Sequence, residues 1–224
     1  MSRIPLTQLD HRQFKQRLQQ CRRCPRLTAF HDQVREQYPD YHAAPVGSWG
    51  ADQARGLIVG LAPGLHGAAR TGRAFVGDTS GQVLFTALYR QGLSTAPDAD
   101  RSQLNGIRIT NVVKCLPPGN APTVAERNQC ADYLSWELNQ LTGRAPRKNR
   151  VILCLGGFAH RALYRALGHT APTFAHGVES QVAAKLWVIS SFHPSRLNLN
   201  TGRITPTMVD QVVQQFRLRL HHIA

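Results

Sequence analysis

Acidic residues are scarce in this chain. Its 224 residues hold 13 aspartates and glutamates against 27 lysines and arginines, a net charge of +14. Lysine is nearly missing too, confined to Lys15, Lys114, Lys148 and Lys185, so the basic excess is arginine. Such a balance favours polyanions, and planar guanidinium groups suit phosphates. Charge alone is a weak pointer to nucleic acid. No lysine-rich block is present, so the basic surface is expected to be dispersed over the fold. The chain also lacks any apolar run near the roughly 18 residues that a membrane span needs. Its start, Met1-Ser2-Arg3-Ile4-Pro5-Leu6-Thr7-Gln8, has no apolar signal-peptide core. A cytoplasmic protein without membrane association is the expectation, nucleoid-associated if the source is a prokaryote. Internal repeats and low-complexity segments are missing as well. With 42% hydrophobic residues, a packed globular protein is expected rather than a disordered one, and its length suits one domain, 1–224.

The five cysteines, Cys21, Cys24, Cys115, Cys130 and Cys154, do not form an even, closely spaced set. That argues against a disulfide framework and for a metal site plus a spare thiol. Cys21-x-x-Cys24 opens the candidate set, Cys115 leaves a strand and Cys130 sits on a helix. Four thiolates can hold zinc or an iron–sulfur cluster, and the wide spacing does not choose between them. Cys130 also lies on an apolar stripe, where core packing is the competing reading. Cys154 lies inside a buried-strand pattern and reads as core.

Four short apolar runs, bounded by Gly or Pro and rich in β-branched residues, read as buried strands. They are Gly56–Gly60, Ile107–Val113, Val151–Leu155 and Leu186–Ile189. Helical patterns lie between them. Val83, Leu84, Ala87 and Leu88 follow Ser80-Gly81. Thr123-Val124-Ala125-Glu126 forms a capping box ahead of Cys130, Leu134, Leu138 and Leu141. A further helix follows Gly156-Gly157. A last one is expected to start at Thr207-x-x-Asp210, carrying Val209, Val212, Val213, Phe216 and Leu220. Phe14, Leu18 and Cys21 share one helical face, and Tyr38–Pro45 has turn chemistry. Pro97–Asp100 and Gly143–Arg147 read as surface connections. Alternating strands and helices imply an α/β sheet covered on both faces, with ligands beyond the carboxyl ends of the strands.

The polar phrases fall at those ends. Gly60-Leu61-Ala62-Pro63-Gly64 follows the first strand, and its glycines let the backbone approach a ligand closely. From Leu57 to Gly77 there is no carboxylate, so Asp78 is the only acid this region offers, unless it merely caps the next helix. Asn111 ends the second strand. Its carboxamide presents donor and acceptor together, matching a uracil edge where a carbonyl adjoins an N–H. Phe192-His193-Pro194-Ser195-Arg196-Leu197-Asn198 follows the fourth strand. Histidine suits a leaving base near neutral pH, Ser195 a phosphate, and Leu197 the gap left by a flipped base. A plain turn explains any one of these phrases; their conjunction at strand ends is harder to dismiss.

Together they resemble the uracil-DNA glycosylase superfamily. Gly60–Gly64, Thr110–Cys115 and His193-Pro194-Ser195-x-x-Asn198 match its recurring motifs in order, and Cys21, Cys24, Cys115 and Cys130 match the ligands of its [4Fe–4S] branches. Leu61, where family 4 carries an acid, favours family 5, or type b. So do Leu65–Arg73 and Asn200–Thr205. The resemblance implies a three-layer α/β/α fold around a four-stranded parallel sheet. It implies a monofunctional glycosylase that removes uracil, hypoxanthine and xanthine from DNA and leaves an abasic site for base excision repair. By this resemblance Asp78, His193 and Asn120 are catalytic, and Gly60, Ala62, Gly64, Phe75, Asn111 and Asn198 bind substrate. Ser195, Arg196 and Leu197 contact DNA. A [4Fe–4S] cluster ranks ahead of zinc, damaged DNA with a flipped base is the partner, and a monomer is expected. The competing readings are a uracil-only family 4 enzyme and a non-catalytic, metal-stabilised nucleic-acid-binding module.

Overall fold

The computed structural model describes residues 5–143 and 148–221. Six strands form one sheet: β1 Trp49–Gly50, β2 Gly56–Gly60, β3 Ile107–Asn111, β4 Arg150–Leu155, β5 Glu179–Ala183 and β6 Leu186–Ser191. Their order across the sheet is β1-β3-β2-β4-β6-β5. The inner four are parallel, and the two edge strands run antiparallel to their neighbours. The four-stranded expectation is therefore corrected to six. The inner strands announce themselves because they are buried on both faces and apolar throughout. β1 is only two residues long, and β5 is the half-exposed Glu-Ser-Gln-Val-Ala, so neither carries an apolar run.

Alternation along the strands sends side chains into two separate cores. On one face Ile58, Ile107, Ile109, Val151 and Leu153 meet Leu84, Phe85, Val209, Val213 and Phe216. These helix residues lie on α4 Thr79–Arg90 and α8 Pro206–His221. On the other face Leu57, Val59, Ile152 and Cys154 meet Leu134, Leu138, Ala159 and Leu163, from α5 Val124–Thr142 and α6 Gly157–Ala166. The result is three layers, helices–sheet–helices. Burying a leucine- or phenylalanine-sized side chain this way contributes about 1.5–3 kcal/mol.

The N-terminal part packs on the outer side of α5. Helix α1, His11–Gln19, has an Asp10 capping box and buries Phe14 and Leu18. They join Tyr133, Trp136 and Cys130 in a third cluster, with Phe14 stacked on Trp136 at 3.7 Å. Helix α2, Pro25–Gln37, follows directly with proline in its first turn, a position where the missing N–H costs nothing. Arg26 grips Glu126 of α5 through two hydrogen bonds of 2.8 Å.

Short helices α3 Ala68–Thr71 and α7 Arg196–Asn200 and 3₁₀ turns at Leu6–Gln8 and Pro118–Asn120 complete the described residues. The capping box at Thr123 and Glu126 is present. The last helix starts earlier than Thr207: Thr205 Oγ accepts from the Met208 N–H at 3.2 Å, and Pro206 takes the first helical position. The connection expected at Gly143–Arg147 lies, beyond Gly143, outside the described residues, as do the first four residues of the N-terminal phrase. Among the described residues no helix is long and apolar enough to cross a membrane.

Candidate active site

The carboxyl ends of β2, β3 and β6 open into one cleft of about 1200 Å³. Ala62, Gly64, Phe75, Asp78, Asn111, Asn120, His193, Ser195 and Arg196 all border it. The sheet's parallel register brings them together, pairing Gly60 with Asn111. The pairing continues past the strands, with the Val112 and Val113 N–H groups donating to the Gly60 and Leu61 carbonyls at 3.0 Å.

Gly60 lies beneath the cleft lining, under Asn111 and Phe75. A β-carbon there would lie 2.5 Å from Asn111 Oδ1 and 2.6 Å from the Phe75 ring, so only glycine lets both groups close over the strand end. Phe75 has φ of +60°, a left-handed backbone that costs a bulky residue of order 1–3 kcal/mol. Its neighbours hold it there. The Trp49 indole N–H donates to the Ala74 carbonyl at 2.9 Å, and the Arg73 guanidinium stacks on Trp49 at 3.9 Å. The Phe75 ring lies 5.7 Å from the His193 ring, centroid to centroid.

Asp78 does two things at once. Oδ1 accepts from the Gly81 N–H at 2.8 Å and caps α4, where the helix N-terminus favours its negative charge. Oδ2 rests over Gly67, at which a β-carbon would approach to 2.4 Å. The helix-cap and active-site readings of Asp78 are thus compatible. His193 stands opposite, half-buried at the foot of the cleft. Desolvation lowers its pKa below the ordinary 6.5, and the charge of Asp78 only partly opposes that. Burial thus favours the uncharged ring.

The loop after His193 is orderly. Ser195 Oγ accepts from the Asn198 N–H at 3.3 Å, which leaves its O–H free to donate. The Asn198 carboxamide donates to the His193 carbonyl at 2.8 Å and is not among the cleft-lining groups. Leu197 projects outward, 72% exposed. Asn120 sits exposed at φ +56° after the left-handed Gly119. Several cleft residues escaped the sequence reading of roles, among them Asp98 and Asp100, whose segment reads in the sequence as a surface connection. His66, held by the Tyr41 hydroxyl at 2.9 Å, stands on its rim. Thr79 lies under the Arg196 guanidinium.

A second site lies behind the sheet's carboxyl edge. Cys21, Cys24, Cys115 and Cys130 border one enclosed cavity of about 20 Å³, walled by Leu18, Leu27, Val113 and Tyr133. No carboxylate or imidazole lines it. Burial raises the Cys24 and Cys115 pKa values, and the neighbouring thiols raise them further. Cys130 is pushed up to about 11, chiefly by burial. The Lys114 N–H points at Cys130 Sγ at 3.3 Å. Among the described residues, no three His, Cys, Asp or Glu side chains converge as ligands of a single ion. An all-sulfur donor set with N–H···S support fits an iron–sulfur cluster. Cys154 is fully buried in the core, apart from these four.

Known proteins resemble this chain over most of its length. The family model described as "Uracil DNA glycosylase superfamily" matches residues 48–217. A type-5 uracil-DNA glycosylase of Mycobacterium leprae is 45% identical over 205 residues, covering 86% of this chain and 88% of the relative. The type-5 uracil-DNA glycosylase of Thermus thermophilus is 38% identical over 217 residues, 92% of this chain and 97% of the relative. A type-4 uracil-DNA glycosylase of Archaeoglobus fulgidus is 30% identical over 152 residues, 65% of this chain and 68% of the relative.

Proposed function

The chain belongs to the uracil DNA glycosylase superfamily, and from that membership we propose that it hydrolyses the N-glycosidic bond of uracil, hypoxanthine and xanthine in DNA, leaving an abasic site. The observation that carries the reading is the convergence of Asp78, Asn111, Phe75 and His193 on one cleft.

The roles follow from chemistry. A base inside a duplex is out of reach, so the target nucleotide must be extruded. The Phe75 ring stacks on the extruded base. The Asn111 carboxamide pairs with a carbonyl next to an N–H. Uracil, hypoxanthine and xanthine all present that pair, whereas cytosine presents an amino group beside a bare ring nitrogen. One amide therefore accepts deaminated bases and declines cytosine. The neutral His193 donates an N–H to the oxygen on which charge grows as the base leaves, a donor worth about 10²–10³ in rate. Asp78 stands across the cleft to orient water and to stabilise the positive charge developing on the sugar. Asn120 lies at the rim within the same cleft and assists in holding that water. Leu61 puts no carboxylate at the first turn; of the acids that border the cleft, Asp78, Asp98 and Asp100, Asp78 is the one fixed at a helix cap and felt by His193.

At the border of the cleft, the Ser195 hydroxyl and Arg196 take backbone phosphates, and beyond it Leu197 fills the gap left in the stack. Asn198 acts on His193 through its carbonyl rather than on the base. Gly60, Ala62 and Gly64 let backbone and base approach closely. Cys21, Cys24, Cys115 and Cys130 hold a [4Fe–4S] cluster, which, when bound, clips the N-terminal segment to the strand that ends at Asn111 and takes no part in base removal. The protein acts as a monomer on damaged DNA.

A glycosylase assay tests this. Oligonucleotides carrying uracil, hypoxanthine or xanthine, single- and double-stranded, are incubated with the protein and scored for alkali-labile abasic sites. Cleavage of all three is expected. Cleavage of uracil alone would favour the competing reading of a uracil-only enzyme, and no abasic product from any base would remove the enzymatic reading.

A further inference from the structure

Five consecutive residues, Asn111 to Cys115, join the cleft to the thiol cavity, and the fourth of them is a lysine with no access to solvent. Lys114 is 0% exposed and its partner Glu137, on α5, is 2% exposed. An ammonium has three N–H donors, and each finds an acceptor at 2.6 Å: Thr110 Oγ, the Asn111 backbone carbonyl and Glu137 Oε2. Glu137 is equally occupied. The Thr110 hydroxyl donates to Oε2 at 2.8 Å and the Ser48 N–H to Oε1 at 2.9 Å.

A buried ion pair of this kind adds little net stability over apolar side chains of the same volume. What it supplies is direction. The carbonyl it grips belongs to the residue at the end of β3, whose own carboxamide lies, like the Phe75 ring, against Gly60. We propose that Lys114 is a positioning residue for base recognition: its ammonium fixes the Asn111 peptide, and so the aim of the Asn111 carboxamide, with Glu137 as the counter-charge. The inference rests on Asn111 being the base reader. Groups that meet a reacting substrate must be held to about 0.5 Å, and a misplacement of about 1 Å costs about 10²-fold in rate. No apolar side chain at this position can hold the carbonyl.

The experiment is a double-mutant cycle on the full-length protein. Single-turnover excision of uracil from single-stranded DNA is measured with and without the paired change Lys114→Met/Glu137→Gln, each in the presence and absence of Asn111→Ala. The paired change leaves no unpartnered charge, and Gln retains an acceptor for Ser48. With Asn111 intact, removal of the pair is expected to slow excision about 30–100-fold, while Kd for the DNA moves less than about threefold. Once Asn111→Ala is present, the further loss is expected to be less than about threefold. Equal losses in both backgrounds, or no loss, overturn the proposal. So does a loss that tracks cluster content, read for each variant from its visible absorbance. Should the paired variant not fold, Lys114→Gln/Glu137→Gln, which also leaves no unpartnered charge, is carried through the same cycle. A loss confined to the Asn111 background is expected there too, and equal losses in both backgrounds overturn the proposal. Failure of the native protein to excise uracil removes the reading of the cleft, and this inference with it.

Discussion

The cleft and the thiol cavity lie on either side of one five-residue segment, and they are built in opposite ways. The cleft is about 1200 Å³, open, and lined with groups that still have free donors and acceptors. The cavity is about 20 Å³, enclosed, and lined by four cysteines and mostly apolar surface, without a carboxylate or imidazole. The first suits a ligand that arrives, reacts and departs; the second suits an occupant that stays. Strength is distributed accordingly. Around the cavity, Arg26 and Glu126, Arg23 and Asp132, and the stacked Phe14 and Trp136 tie helix to helix. Around the cleft, glycines stand where side chains would obstruct. Changes at the cleft should therefore alter rate before stability, and changes at the cavity the reverse.

His193→Ala presses hardest on that contrast. Single-turnover excision is expected to fall about 10²–10³-fold, with DNA affinity by fluorescence anisotropy within about threefold of native. An equal loss of affinity would make His193 a docking residue instead. Gly67→Ala is the next largest. Its methyl group meets Asp78 Oδ2 at 2.4 Å, so the carboxylate must turn away. A loss of about 10–100-fold is expected, with the melting temperature lowered by no more than the loss of one helix cap, about 2–6 °C. Retained activity would show that the position of Oδ2 does not matter.

Cys24→Ala should show the opposite profile. Losing one cluster ligand is expected to remove about 2–3 kcal/mol, or about 5–10 °C in melting temperature. Residual activity below that temperature should fall less than it does in the His193 variant. If melting and activity both stayed at native values, the cavity would not hold a stabilising group.

The smallest effect expected is one of pH. His31 accepts the Leu116 N–H at 3.0 Å, just beyond Cys115, and burial lowers its pKa to about 4. The unfolded chain binds that proton near the ordinary 6.5 and the folded chain resists it, so stability is lost as pH falls from about 6.5 towards 4. Below that range both states are protonated and this contribution levels off. Denaturant midpoints followed across the range should decline more gently in His31→Gln. An identical slope would assign the decline to other groups.

Much of this was readable along the chain. The four inner strands are short and apolar, because a strand covered on both faces has no polar side to show. The Thr123–Glu126 capping box is a local device whose partners lie three residues apart, and it formed where the spacing places it. The last helix was displaced by two residues because Thr205 and Thr207 both offer a cap, and Pro206 favours the earlier one. The edge strands were not readable. They depend on hydrogen bonds to a neighbour rather than on their own pattern, and β5 stays half-exposed along its length.

The sequence by itself determined which chemical groups stand at strand ends. It placed an acid, an amide, an imidazole and four thiols in an order, because strand and helix signals are local and loops must follow them. Only the tertiary structure decided how those groups are held. Asp78 caps a helix with one oxygen and faces the cleft with the other. The Asn111 carboxamide closes over Gly60. Lys114 reaches Glu137 across 23 positions in sequence, at 2.6 Å. Such pairs have no signature in spacing. They exist because folding brings distant residues into a region where water cannot satisfy them, and each must find its partner there.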